Sequence, residues 1–122
     1  MSKTILMVDD SASVRQMVGM TLKQAGYSVV EACDGREALQ KATASRVDAV
    51  ITDLNMPGMD GLSFIRAYRA TPASSGVPIV FLTTESDEGL KAQAKQAGAT
   101  GWMVKPFKPD QLLAIMRKVV GA

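Results

Sequence analysis

Five short apolar runs, separated by segments with helical spacing, constrain the fold of this chain more than any other feature. The runs are rich in Val and Ile and too short for typical helices, so they predict five β-strands. Their nearly continuous apolarity is typical of strands covered on both faces, as in a parallel sheet. The runs are Ile5–Val8, Ser28–Ala32, Val47–Thr52, Pro78–Thr83 and Thr100–Val104.

The segments between the runs repeat apolar residues at intervals of three and four, which indicates amphipathic helices. The first helix is predicted to begin at a cap on Ser11 or Ser13 and to stop at Gly26. Asp34 and Glu37 resemble a capping box at the start of the second helix. The other helices are marked by a start after Asp60 and Gly61, a stop at Gly98 and a first residue at Pro109.

Strands and helices therefore alternate five times, which predicts an α/β fold with right-handed crossovers and three layers. The whole chain is used in building these elements, so we expect one domain over residues 1–122. Apolar residues make up 47% of the chain, enough for a substantial core, and the eight Met residues are expected to fill gaps in it.

Charge and residue inventory argue against several classes of function. The net charge of +2, without a run of like charges, does not suggest a nucleic-acid-binding protein. The lack of His removes the usual general base and metal ligand. Cys33 cannot form an internal disulfide and is expected to be a small core residue. The N-terminal segment resembles neither a signal peptide nor a membrane span, so we expect a cytoplasmic protein.

Polar side chains follow four of the predicted strands. Asp9 and Asp10 come after the first strand, Asp53 after the third, Thr83 at the end of the fourth, and Lys105 after the fifth. Each of them alone has an ordinary interpretation as a cap, a turn residue, a strand end or a solvated charge. Because the carboxyl ends of parallel strands meet at one edge of a sheet, we expect all five side chains to converge there.

Three neighbouring carboxylates would repel one another and raise each other's pKa unless a cation neutralises them. Mg²⁺ fits best, because it takes oxygen ligands and retains waters, whereas zinc prefers the nitrogen and sulfur ligands that this site lacks. A metal together with a lysine and a threonine hydroxyl supplies the charge neutralisation and orientation that a phosphoryl group needs.

Taken together, these residues resemble the motif of bacterial response-regulator receiver domains, over the whole chain and most closely the stand-alone chemotaxis regulators of the CheY type. The motif consists of Asp9-Asp10, Asp53 within residues 53–61 (DLNMPGMDG), Thr83, and Lys105-Pro106-Phe107. The resemblance implies a flavodoxin-like (CheY-like) sandwich with a five-stranded parallel sheet of order 2-1-3-4-5 and five helices.

The resemblance implies that Asp53 accepts a phosphoryl group in an Mg²⁺-dependent reaction. Asp10, Asp53 and the backbone carbonyl of Asn55 would bind Mg²⁺ directly, and Asp9 would act through a metal-bound water. Polar residues at the positions of Asn55 and Glu85 go with rapid self-hydrolysis in the family. Thr84 stands where a smaller residue is usual and could crowd the site, so the lifetime of the aspartyl phosphate stays open.

The resemblance also implies how the phosphoryl group is held and sensed. Lys105 would pair with Asp53 before phosphorylation and with a phosphoryl oxygen afterwards, and its peptide bond to Pro106 would be cis. Thr83 would donate a hydrogen bond to the phosphoryl group. Trp102 stands where the family has its switch aromatic, usually Tyr or Phe, and would follow Thr83 inward. The fourth helix, fifth strand and fifth helix would then form the output face.

We therefore expect a monomeric two-component response regulator, not a turnover enzyme, with a CheA-like histidine kinase as phosphodonor. Its output partner would be a flagellar motor switch protein if it serves chemotaxis; a regulator with another target, or a phosphate sink in a relay, is the alternative. A phosphatase of the haloacid dehalogenase type would need a second Asp where the chain has Asn55. A flavodoxin would need a phosphate loop where the chain has Asp9-Asp10.

Overall fold

The computed structural model describes residues 3–54, 56–83 and 88–120, and within them strands and helices alternate as predicted. A 3₁₀ turn at Pro72–Ser74, which the sequence did not predict, precedes the fourth strand. The strands are β1 (Thr4–Val8), β2 (Ser28–Ala32), β3 (Ala49–Asp53), β4 (Ile79–Thr83) and β5 (Gly101–Val104). The helices are α1 (Ala12–Gln24), α2 (Gly35–Ala44), α3 (Gly61–Arg69), α4 (Glu88–Ala97) and α5 (Pro109–Val120).

The five strands form one parallel sheet in the order β2-β1-β3-β4-β5, which confirms the order implied by the resemblance. Val8 at the end of β1 lies opposite Thr52 of β3. The residues that follow them, Asp9 and Asp53, are therefore brought to neighbouring positions at the carboxyl edge of the sheet.

Apolar side chains cover both faces of the sheet, as the continuous runs predict. Successive residues of β1 point to opposite faces, so Leu6 joins one buried cluster and Met7 the other. All residues of β3 and β4 are buried, whereas β2 lies at the edge and is largely half-exposed. Of the helices that the structure describes, none is long and apolar enough to cross a membrane.

The predicted capping signals are confirmed at the helix ends. The side chains of Ser11, Asp34 and Asp60 accept hydrogen bonds from backbone N–H groups in the first turns of α1, α2 and α3. Gly26 and Gly98, which follow α1 and α4, have positive φ angles of 98° and 114°. These two positions favour glycine because side chains disfavour that backbone region.

One expectation about the core is wrong, and another is wrong in part. Cys33 is exposed, because it follows the edge strand β2 and lies in the turn that leads into α2. Met17 and Met20 are 37% and 62% exposed, because the buried face of α1 is formed by Val18 and Leu22 instead. Four other Met residues are buried in the core as expected, namely Met7, Met56, Met103 and Met116.

Gly61 allows α3 to begin directly against the end of β3. A Cβ atom at this position would overlap the backbone carbonyl oxygen of Asp53 and lie 2.8 Å from Cα of Leu54. We expect Gly61→Ala to lower the free energy of unfolding by about 3 kcal/mol, the upper part of the range for overpacking, because backbone must move. Urea unfolding measures this. Gly19→Ala in α1 is the control and should stabilise by about 0.5–1 kcal/mol; a stabilising Gly61→Ala would contradict the packing argument.

Candidate functional site

Three aspartates meet at the carboxyl edge of the sheet, as the sequence predicts. One carboxylate oxygen from each of Asp9, Asp10 and Asp53 lies within 4.8 Å of the others. Asp9 and Asp53 are buried, with 0% and 5% of their surface exposed, whereas Asp10 faces solvent. The neighbouring strands β1 and β3 fix this arrangement, because Asp53 is the last residue of β3 and Asp9 and Asp10 are the first two residues after β1.

Lys105 reaches the acid cluster from the end of β5. Its ammonium group donates a hydrogen bond of 2.9 Å to Oδ2 of Asp9 and lies 3.3 Å from Oδ2 of Asp53. The resemblance implies the contact with Asp53 but not the shorter contact with Asp9. The peptide bond between Lys105 and Pro106 is cis, as the resemblance implies.

The electrostatics of the cluster favour a charged Lys105. Burial of the ammonium group acts to lower its pKa, but the hydrogen bond with Asp9 and the negative charges of Asp9 and Asp53 outweigh burial and raise the pKa above its usual value. Among the described residues, the ammonium group of Lys105 pairs with two of the three carboxylates, those of Asp9 and Asp53. Such an oxygen-rich, partly open acid cluster fits Mg²⁺, with Asp10 on the solvent side.

Two further contacts, which the sequence does not predict, also hold Asp9 in place. The backbone N–H of Ser11 donates to Oδ1 of Asp9 at 2.9 Å. The guanidinium of Arg15 donates to the backbone oxygen of Asp9 at 2.5 Å and lies 3.4 Å from the carboxylate of Glu31 on β2. The sequence position of Arg15 does not by itself predict its contact with Asp9, because that contact depends on how α1 packs against the sheet.

Thr83 is buried at the end of β4, one residue beyond Leu82, which lies opposite Asp53 in the sheet. Thr83 therefore lies at the same edge of the sheet as the acid cluster. The expected phosphate-tuning residues Asn55, Thr84 and Glu85 lie outside the described residues, as does the expected Asn55 carbonyl ligand.

Trp102 lies on β5, opposite Phe81 of β4, and is partly buried. The two aromatic rings stack with their centroids 6.4 Å apart. The ammonium groups of Lys91 and Lys95 from α4 lie 4.6 and 4.8 Å from the centroid of the Trp102 ring. The resemblance puts Trp102 at the switch position, but nothing in the sequence predicts its two lysine neighbours.

Solved structures with the same fold include signalling proteins. The chemotaxis response regulator CheY4 of Vibrio cholerae is 49% identical, with 98% of this chain and 99% of that chain covered and a TM-score of 0.94. The receiver domain of the sensor histidine kinase PA1611 from Pseudomonas aeruginosa is 32% identical over the full length of both chains, with a TM-score of 0.92. In that structure a magnesium ion is coordinated in the active site cleft.

Among curated proteins, the DNA-binding response regulator MtrA of Mycobacterium tuberculosis is 39% identical over 117 residues, or 96% of this chain. That alignment covers 50% of MtrA, so this chain spans about half the length of the curated relatives that it matches.

The sequence model of the response regulator receiver domain matches residues 5–117, which include the acid cluster, Thr83, Trp102 and Lys105. Receiver domains are signalling domains of two-component systems that bind Mg²⁺ at an acidic pocket and interact with histidine kinases. This match, together with the sheet order and the assembled acid cluster, shows that the chain belongs to the response regulator receiver domain family.

Proposed function

We propose that residues 1–122 form one receiver domain that accepts a phosphoryl group on Asp53 from a histidine kinase and signals through a conformational switch. The observation that carries this proposal is the position of Asp53, buried at the end of β3, within the acid cluster and 3.3 Å from the ammonium group of Lys105. A carboxylate between acids and a cation is suited to attack an electrophilic phosphorus atom.

In the proposed reaction, a carboxylate oxygen of Asp53 attacks phosphorus in line. The bond from phosphorus to the donor nitrogen breaks, and its electron pair leaves with the donor. Mg²⁺ would supply positive charge that offsets the charge of the phosphoryl oxygens. Lys105 is close enough to Asp53 to pair with one of these oxygens, and Thr83 is proposed to donate a hydrogen bond to another once the switch is made.

The pairing of Asp9 supports different roles for the first two acids. Its Oδ1 accepts from Ser11 and its Oδ2 from Lys105, so both oxygens already have protein donors. Asp10 is exposed, so a hydrated ion can reach its carboxylate from solvent. We therefore assign Asp10, Asp53 and the carbonyl of Asn55 as direct ligands of Mg²⁺, with Asp9 acting through a metal-bound water.

These assignments predict unequal losses of Mg²⁺ affinity. Asp9→Asn should weaken binding about tenfold, the scale of a second-layer contact, and Asp10→Asn more than about 100-fold. The Mg²⁺ dependence of the melting temperature measures both affinities, with Asp34→Asn as a control outside the cluster. A larger loss in Asp9→Asn than in Asp10→Asn would reverse the assignment.

The proposed output is chemotaxis, and its support is the similarity to CheY4 over nearly the full length of both chains. On this proposal the donor is a CheA-like kinase in the cytoplasm, the domain acts as a monomer, and the face formed by α4, β5 and α5 binds a flagellar motor switch protein. MtrA, a DNA-binding response regulator, supports the second candidate, a receiver with a target outside chemotaxis. These two outputs would require different rates of self-dephosphorylation, and Asn55, Thr84 and Glu85 would tune that rate.

Beryllofluoride, an analogue of the phosphoryl group, tests the switch. With Mg²⁺ present, we expect it to bind at Asp53 and to change the fluorescence of Trp102, the single Trp of the chain. ¹⁹F NMR confirms binding independently of the fluorescence. Bound beryllofluoride without any change at Trp102 would remove this residue from the switch, and a protein that does not bind beryllofluoride would contradict the acceptor site itself.

A further inference from the structure

Two lysines on α4 cover the ring of Trp102, and we propose that they restrain the switch. Lys91 and Lys95 are then positioning residues that stabilise the arrangement of the ring in the unphosphorylated protein. They thereby set how much free energy the phosphoryl group must supply to shift the ring to its other arrangement. The inference rests on the proposed function, because it assumes that Trp102 moves when Asp53 is modified.

The geometry of α4 brings both charges to the same ring. Lys91 and Lys95 are four residues apart, so their side chains leave the same face of the helix. Their ammonium groups lie 4.6 and 4.8 Å from the ring centroid, inside the limit of about 6 Å for an effective cation–π attraction. Trp attracts cations more strongly than Tyr or Phe does. A Trp at this position is therefore held more firmly than the usual aromatic residue would be.

The same ring is connected to the acid site through β4. Trp102 stacks on Phe81, which is fully buried and lies two residues before Thr83 on the same strand. Any movement of the ring away from α4 must leave the two ammonium groups while it repacks against β4. Each lost cation–π contact opposes that movement by about twofold to fivefold in the equilibrium constant.

Neutralising both lysines tests the restraint. The double variant Lys91→Met/Lys95→Met keeps two unbranched apolar stems beside the ring and removes the charges. We expect it to bind beryllofluoride about fivefold more tightly in the presence of Mg²⁺, because the binding-competent state is more populated. A purely electrostatic effect has the opposite sign, because loss of two positive charges weakens the binding of an anion. ¹⁹F NMR titration measures the affinity without relying on Trp102.

Two further variants complete the test. Lys91→Arg/Lys95→Arg keeps the cations and should bind beryllofluoride within about twofold of the wild-type affinity. In a Trp102→Leu background, the two Lys→Met substitutions should no longer tighten binding, and only the weak electrostatic loss of affinity should remain. Unchanged or weaker binding in the double Met variant would overturn the proposal, and so would a gain that persists without the Trp102 ring. Failure of the proposed function is seen separately, because the wild-type protein would then not bind beryllofluoride at all.

Discussion

The Asp53→Asn variant is expected to gain no phosphoryl group from a small phosphodonor in the presence of Mg²⁺, whereas the wild-type protein gains one. The substitution keeps the shape of the side chain but replaces a carboxylate nucleophile with an amide, which is a far weaker nucleophile. Asp53 lies at the end of β3 with its carboxylate 3.3 Å from the ammonium group of Lys105, so the substitution removes the proposed nucleophile from the position where Lys105 can pair with the phosphoryl group. Intact-protein mass spectrometry measures the gain directly.

A matched control is available on α5. Asp110 is an exposed acid in the first turn of that helix, so Asp110→Asn makes the same chemical change outside the acid cluster and should be phosphorylated like the wild-type protein. The same mass gain in Asp53→Asn would show that another residue is the acceptor. Binding of Mg²⁺ should also weaken in Asp53→Asn, which a melting-temperature titration can follow.

Replacing Lys105 with Met is expected to destabilise the protein when Mg²⁺ is absent. The change removes the ammonium group that pairs with the buried carboxylates of Asp9 and Asp53, so these two negative charges repel each other more strongly. We expect a loss of about 2 kcal/mol in the free energy of unfolding, less than for a fully buried pair because solvent screens the charges. Mg²⁺ should stabilise this variant more than it stabilises the wild-type protein, because the ion replaces the missing charge.

The nearby exposed Lys108 provides the control, since Lys108→Met removes the same charge three residues away. Urea unfolding with and without Mg²⁺ distinguishes the two variants. The pKa of Lys105 is raised in the folded protein, so its stabilising contribution is complete at neutral pH and is lost as the pH rises through that pKa. The difference between the wild-type protein and Lys105→Met should therefore shrink at strongly alkaline pH. Equal losses for Lys105→Met and Lys108→Met would contradict the pairing.

Much of the fold and the acid cluster follows from local sequence features. The apolar runs predicted all five strands within about two residues at each end, and the alternation predicted the parallel sheet. Asp9, Asp10 and Asp53 could be placed at one edge because each stands at the end of such a run, which fixes its position through the backbone alone. Lys105 was placed in the same way.

Contacts made by long side chains between distant elements could not be predicted. The guanidinium of Arg15 reaches the carbonyl of Asp9 because α1 packs against β1 and β2 at one particular angle. The lysines of α4 meet Trp102 for the same kind of reason. Cys33 was misplaced because its apolar neighbours suggested a core position, although β2 is an edge strand. These features depend on how elements pack, and the sequence of each element alone does not contain that information.

The contributors to the acid site come from residues 9 to 105 of the chain, at the ends of four strands. The site therefore exists only when β1, β3, β4 and β5 have all assembled, and no fragment lacking one of these strands can retain the complete set. A ligand that binds at this site binds only the folded state, so its binding free energy is added to the stability of the entire sheet. Binding of Mg²⁺ should thus slow amide hydrogen exchange in strands far from Asp53, and not at the site alone.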